Sequence, residues 1–254
     1  MRIWVFFVLS LLLLWLGILA GRGIASIQSR VVEKEDAIIS VLEGALLTLF
    51  GLLMGFTFSM AVSRFDMRKV LAVQEANAIG TTWLRTTTLP EPLRTQEQNL
   101  LRDYIQVRLQ YHANHPDAQE LRGLQERVDL LQGRLWALAS GYAMDHRDDV
   151  TGLYLQTLNE AIDLSGERTA ADANRIPMEA WVMLLFVGVV ATLVVGMKVS
   201  SRSWVLQAVL PVVLAATLAL TLDLDAPQLG LIKVGQASME KQAHDMQTLP
   251  QQAP

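Results

Sequence analysis

The 254-residue chain has no cysteine, which excludes disulfides and thiol chemistry. It also lacks the signatures that position a nucleophile, a metal or a phosphate: there is no G-x-S-x-G, H-E-x-x-H, G-x-G-x-x-G or P-loop. No enzyme activity, cofactor or metal is expected. Charge is scarce, at 18% Asp, Glu, Lys and Arg with a net −4, and between residues 60 and 176 acids and bases are interleaved. A chain without a basic face is not a nucleic-acid binder. Strand-like alternation is missing too.

What the chain has is apolar sequence, 52% of its residues, gathered into blocks. Ile3 to Ala20 carries no charge and is long enough to cross a bilayer core of roughly 30 Å. A signal peptide competes with this reading, but the run exceeds the usual h-region, so an uncleaved anchor is preferred. The second block runs from Ala37 to about Ala61, interrupted by Glu43, and Pro177 to Val199 and Trp204 to Leu222 make the third and fourth. This is an integral membrane protein with the lipid bilayer as a partner, and four spans put both termini on one side. Basic residues near the span ends favour a cytoplasmic N-terminus, with Arg2, Arg64, Arg68, Lys69, Arg168, Arg175, Lys233 and Lys241 inside against Arg22, Arg30, Lys34, Lys198 and Arg202 outside. The expected location is a bacterial inner membrane, with both termini cytoplasmic.

The expected division is residues 1–61 as spans one and two, 62–176 as a cytoplasmic helical domain, 177–225 as spans three and four, and 226–254 as a tail. In the polar region Pro90 and Pro92 of "LPEPLR" break the first helix, and "NHPD" at 114–117, with Asp117 as N-cap, separates the second from the third. Leu121, Leu124, Val128, Leu131, Leu135 and Leu138 recur at steps of three and four. With fewer than three full heptads, packing inside a helical bundle is preferred to a dimeric coiled coil. His112 and His115 lack a third ligand at a convincing spacing and read as part of a solvated turn, as does "DHRDD" at 145–149. Pro227 stops the fourth span after Asp223 and Asp225, and the Gln-rich end reads as a loose tail.

Nothing compels a break between Ala37 and about Arg85, so the second span predicts one helix roughly 70 Å long that projects into the cytoplasm. Gly51 and Gly55 form a G-x-x-x-G pair that admits another helix closely. Thr48, Leu52 and Phe56 recur every four residues on the adjoining strip, which continues through Ser59 and Ser63. Periodicity alone fits lipid-facing residues at least as well as a helix packed on its own copies about an axis. Arg64 falls about 160° from Thr48, away from that strip, where snorkelling to the phosphate layer is the preferred role. Glu43, an acid inside a span, also points away from it. It either pairs with Arg22, Arg30 or Lys34, stays protonated, or handles ions. Glu75 and Asn77 in "EANAIGT" either line a vestibule or lock the helix to its own bundle.

"GFTFSMAVSRFDMRK" resembles the second membrane helix of bestrophin channels, with Gly55-Phe56 followed by Arg64-Phe65 at the same interval. Over most of the chain, "FTFSMAVSRFD", "EANAIGT", "LR" at 84–85, "LPEP", "NRIP" and "LDLDAP" with "GLI" resemble the bacterial bestrophin-like membrane proteins. The resemblance implies an all-α fold of four transmembrane helices plus a cytoplasmic bundle, a homopentamer around a central path, and conduction of small inorganic ions, anions in bestrophins. It assigns the apolar neck to Thr48, Leu52 and Phe56, weaker lining roles to Ser59, Ser63 and Asn77, helix packing to Gly51 and Gly55, and motif status to Arg64, Phe65 and Glu75. Thr48 departs from the apolar pattern, and Phe65-Asp66 stands where bestrophins have two aromatics. Only Asp223 and Asp225 follow the fourth span, so calcium gating is not expected. The reading is an oligomeric ion channel; the alternative is a non-conducting scaffold or sensor whose cytoplasmic bundle binds a partner. Without an internal repeat, a secondary transporter is disfavoured.

Overall fold

Apolar periodicity uninterrupted by breakers yields helix throughout. The computed structural model describes residues 3–113, 118–198, 204–226 and 230–248, and contains no strand among them. Four helical stretches are long and apolar enough to cross a membrane, namely Ile3–Ile27 and those within Asp36–Thr88, Asp149–Lys198 and Gln207–Asp225. The chain forms two compact units.

The apolar unit runs to Phe65 and resumes at Arg175–Lys233. It holds α1 (Ile3–Ile27), the short α2 (Ser29–Lys34), the first part of α3 (Asp36–Arg85), α7 (Met178–Lys198) and α8 (Trp204–Asp225). α1 packs on α7 and α8. Glycines set that approach: a Cβ on Gly21 would collide with the Leu193 carbonyl, and one on Gly196 with the backbone of Ile18. Leu14, Phe50, Leu184, Val187, Ala215 and Leu218 form the core. Buried hydroxyls satisfy themselves on the preceding turn, as Thr57 does on the Leu53 carbonyl at 2.8 Å and Thr221 on Thr217 at 2.8 Å.

α3 is a single helix of 50 residues, about 75 Å at 1.5 Å per residue. It opens on Asp36 and closes on Arg85, the order its dipole favours. Its buried residues fall at Phe50, Met54, Thr57 and Ala61, and further along at Arg68, Leu71, Glu75, Ile79 and Thr82, so one stripe faces its own chain throughout.

The polar unit comprises Asp66–Asn174 and the chain from Val234. After α3, a 3₁₀ turn at Thr86–Thr88 leads to α4 (Leu93–Ala113), α5 (Ala118–Asp145), α6 (Asp149–Ala173) and α9 (Ala237–Thr248). Leu124, Val128, Leu131 and Leu135 are buried, so the α5 seam packs within the bundle, against α4 and α6. Asp148 caps α6, accepting from the Thr151 amide at 2.8 Å. The expected cap Asp117, the turn proline Pro116, His115 and the stop Pro227 lie outside the described residues.

Part of the segment expected as a loose tail is a packed helix. α9 buries Met239, Ala243 and Met246, its Gln242 lies over Gly80, and Arg102 donates to the Met246 carbonyl at 3.2 Å. Gln-rich composition hid an apolar stripe at i, i+4 and i+7.

Candidate functional site

α3 presents two opposite faces. Thr48, Leu52, Phe56, Ser59 and Ser63 are exposed, as is Asn77 further along, with Leu52 at 55% and Phe56 at 62%. Gly51 and Gly55 are also exposed, and a Cβ on either meets nothing within 4 Å. This pair is open, whereas Gly17 and Gly21 of α1, equally spaced and unremarked in the sequence, make the close contacts within the chain. The exposed face continues past the charged residues with Met67 at 56%, Val70 at 50% and Val73 at 45%.

Glu43 is half-buried on the far side of this face. Lys198 approaches it at 3.8 Å, reaches Asp36 at 3.5 Å and donates to Ser40 Oγ at 2.6 Å. The cation beside Glu43 therefore comes from the end of α7, four helices on in the chain, and not from Arg22 or Lys34; the Arg30 side chain lies outside the described residues.

The opposite face gathers motifs that are distant in sequence. In the apolar unit Arg64 lies 3.5 Å from Asp225, and the Ile176 amide donates to the same carboxylate at 3.0 Å, while Arg175 donates to the Asp225 carbonyl. "SRF", "NRIP" and "LDLDAP" thus meet at one joint. Arg64 is turned to Asp225 instead of snorkelling, because an acid at the end of α8 offers a charge partner inside the protein. Phe65 packs partly buried on the apolar core. Asp223 accepts the amides of Leu231 and Ile232 at 2.6 and 3.1 Å, holding those residues to the end of α8.

In the polar unit Arg68 donates to the carbonyls of Ala171 at 3.1 Å and Asn174 at 2.9 Å and lies 3.9 Å from Asp172. Glu75 is fully buried and takes both Arg108, at 2.5 and 3.1 Å, and Arg168, at 2.8 Å. Arg168 also donates to Gln236 at 2.9 Å, bringing the segment before α9 into the same network. Charges this deep persist only when paired and hydrogen-bonded. Burial and then the charge on Glu75 push the Tyr104 hydroxyl up, and its oxygen accepts from Gln132 at 3.2 Å.

His112 is not in a solvated turn. Its side chain is 7% exposed, with Nδ1 3.7 Å from Asp172, and burial, then Arg168 and Arg108, push its pKa well below the usual range. Within "EANAIGT", Glu75 faces the bundle and Asn77 faces out, onto an open groove that Glu160, Asp163 and Glu167 of α6 line opposite it. Sequence reasoning missed Arg108 and Arg168. Their signal was position: Arg108 shares the apolar stripe of Leu101, Tyr104 and Ile105, and Arg168 that of Leu158, Ala161 and Ser165.

Comparisons with known proteins bear on this architecture. The chain is similar to a bacterial bestrophin homologue from Klebsiella pneumoniae, at 16% identity and a TM-score of 0.65 over 96% of this chain and 99% of that one. A point variant of a bacterial bestrophin homologue from the same organism matches at 17% identity and a TM-score of 0.65 over 94% and 97% of the two chains. Such identities establish the fold. The search of curated proteins found no match. The family profile for the Bestrophin-like domain matches residues 5–239. A membrane protein of four apolar spans, with one long helix open along one face, the chain belongs to the Bestrophin-like family.

Proposed function

We propose that this chain is the subunit of a ring-shaped ion channel, a homopentamer in a bacterial inner membrane, in which five copies of α3 surround the conducting path. The observation that carries the reading is the face of α3 left open by its own chain. It runs from Thr48 through Phe56 to Asn77, and still holds Met67, Val70 and Val73 among charged residues, where apolar side chains at 45% exposure or more imply a cover. Copies of the same helix supply that cover, with Gly51 and Gly55 setting their approach. Leu52 and Phe56 form the apolar neck, which closes by excluding water, and Thr48 adds a polar ring on its outer side. Ser59, Ser63 and Asn77 line the wider path beyond it. Packing of α9 into the polar unit, together with an even number of apolar spans, supports the reading that both termini lie on the side of that unit.

The test is mass measurement of the detergent-solubilised protein together with ion flux from liposomes. A pentamer is expected, and Leu52→Ala combined with Phe56→Ala raises the leak about tenfold by widening the neck. A monomer or dimer without flux in either form would favour a scaffold whose polar unit binds a partner. The resemblance to bestrophins implies anions, yet Arg64 and Arg68 are turned into their own chain and add no positive ring to the path.

A further inference from the structure

We propose that Asp66 makes the inner mouth of this channel select cations, an inference that rests on α3 surrounding the path. Asp66 follows Thr48 by 18 residues, five turns at about 3.6 per turn, and so falls on the same line of the helix as the head of the exposed face. The local structure agrees. Arg64 and Arg68, two residues to either side, lie about 160° away in each direction and are engaged by their own chain, Arg64 with Asp225 and Arg68 with the carbonyls of Ala171 and Asn174. Asp66 between them is exposed.

No other charge on α3 comes within about 40° of the Thr48 line. Glu43 and Glu75 fall on the far side, and Arg85 donates to the Leu153 carbonyl. Lys69 lies about 60° round, on the line of Gly51, where the contact with the next copy falls, and not on the line that faces the path. A ring of copies therefore sets five carboxylates around the path just inside Ser63, with the basic residues of the same helix directed elsewhere. Beyond them, the groove beside Asn77 and Thr81 is lined by Glu160, Asp163 and Glu167 and, among the described residues, by no Lys or Arg. Cations are concentrated at such a mouth and anions repelled, as in other pores built on acidic rings.

Currents through the full-length protein in planar bilayers under a potassium chloride gradient test this, the potassium-to-chloride permeability ratio being read from the reversal potential. The parent is expected to favour potassium by about tenfold, Asp66→Asn to lower the ratio at least about threefold, and Asp66→Lys to bring it below about one. Asp103→Asn, on an exposed face of α4, leaves it unchanged. Because the chain has no cysteine, Asp66→Cys in the assembled channel provides a version independent of folding: a positively charged thiol reagent lowers the ratio and a negatively charged one raises it. A parent that favours chloride, or a ratio indifferent to the charge at position 66, overturns the proposal and leaves the channel intact. Absence of any current in the parent overturns the channel reading itself.

Discussion

Glu97 carries a carboxyl into an interior that offers it little. The residue is fully buried on α4, neither oxygen has a hydrogen bond of ordinary length, and Tyr154 of α6 is its polar neighbour. Burial raises its pKa from 4.5 to about 7, against a smaller lowering by the Tyr154 hydroxyl. Between those two values the folded protein keeps a proton that the unfolded chain has released. The stabilisation is complete below 4.5 and is lost as the pH rises through about 7. His112 runs the other way, since its depressed pKa makes stability fall as the pH drops below the usual histidine value. Comparison with Glu97→Gln, which is neutral at every pH, isolates the first effect. Melting of the purified parent at about pH 5 and about pH 8 should show a loss at the higher pH that the variant lacks. Equal differences in the two proteins would mean that Glu97 does not titrate in that window.

Glycine lines show what a helix is for. Gly17 and Gly21 let α1 lie against α7, where the Leu193 carbonyl and Thr192 side chain occupy the space a Cβ would need. Gly51 and Gly55 on α3 have the same spacing and open space beside them. Gly21→Leu should therefore destabilise the subunit by about 1–3 kcal/mol or more, since the obstruction is backbone and cannot rotate away. Gly55→Leu should leave the subunit's melting unchanged and lower the assembled fraction. Circular dichroism melts and native mass measurement separate the two outcomes, and a variant of Gly55 that unfolds the isolated subunit would remove the distinction. Some helix ends were legible, because Pro90 and Pro92 mark the break after α3 and Pro177 the start of the third span. The two glycine pairs were not equally so. A four-residue spacing announces close approach but is silent on whether the approaching helix belongs to the same chain. Arg64, Arg68, Glu75 and Asp225 were visible as motif residues, but their joints depend on pairings across more than thirty positions, and no local pattern encodes those. α9 was missed for a related reason, since three apolar residues in a Gln-rich segment form a face only when a surface is there to receive it.

For the proposed assembly, the polar part of α3 discriminates best, because there water would compete with a neighbouring copy for the same side chains. Val70 and Val73 are exposed to similar extents, 50% and 45%, and have the same side chain, so burial in a single chain gives them equal weight. A ring treats them differently. In the proposed ring Val70, 18 residues after Leu52, shares the line of Leu52 at the middle of the neck, whereas Val73, 18 residues after Gly55, shares the line of Gly55, about 60° round toward Gly51 and the neighbouring copy. Val73→Asp then places a charge in a contact that excludes water, and the assembly should dissociate at concentrations at least about tenfold higher than the parent does, a change of about 1.4 kcal/mol per contact. Val70→Asp places its charge in a hydrated path, and the mass of the particle should not move. Neither change disturbs the buried stripe of Leu71, Glu75 and Ile79, so both subunits keep their helical content. Analytical ultracentrifugation in detergent across a dilution series measures the two variants side by side. Dissociation by Val70→Asp with Val73→Asp unaffected would place the neighbour on the face now assigned to the path, and equal effects would leave α3 packed in a solid bundle without a path at all.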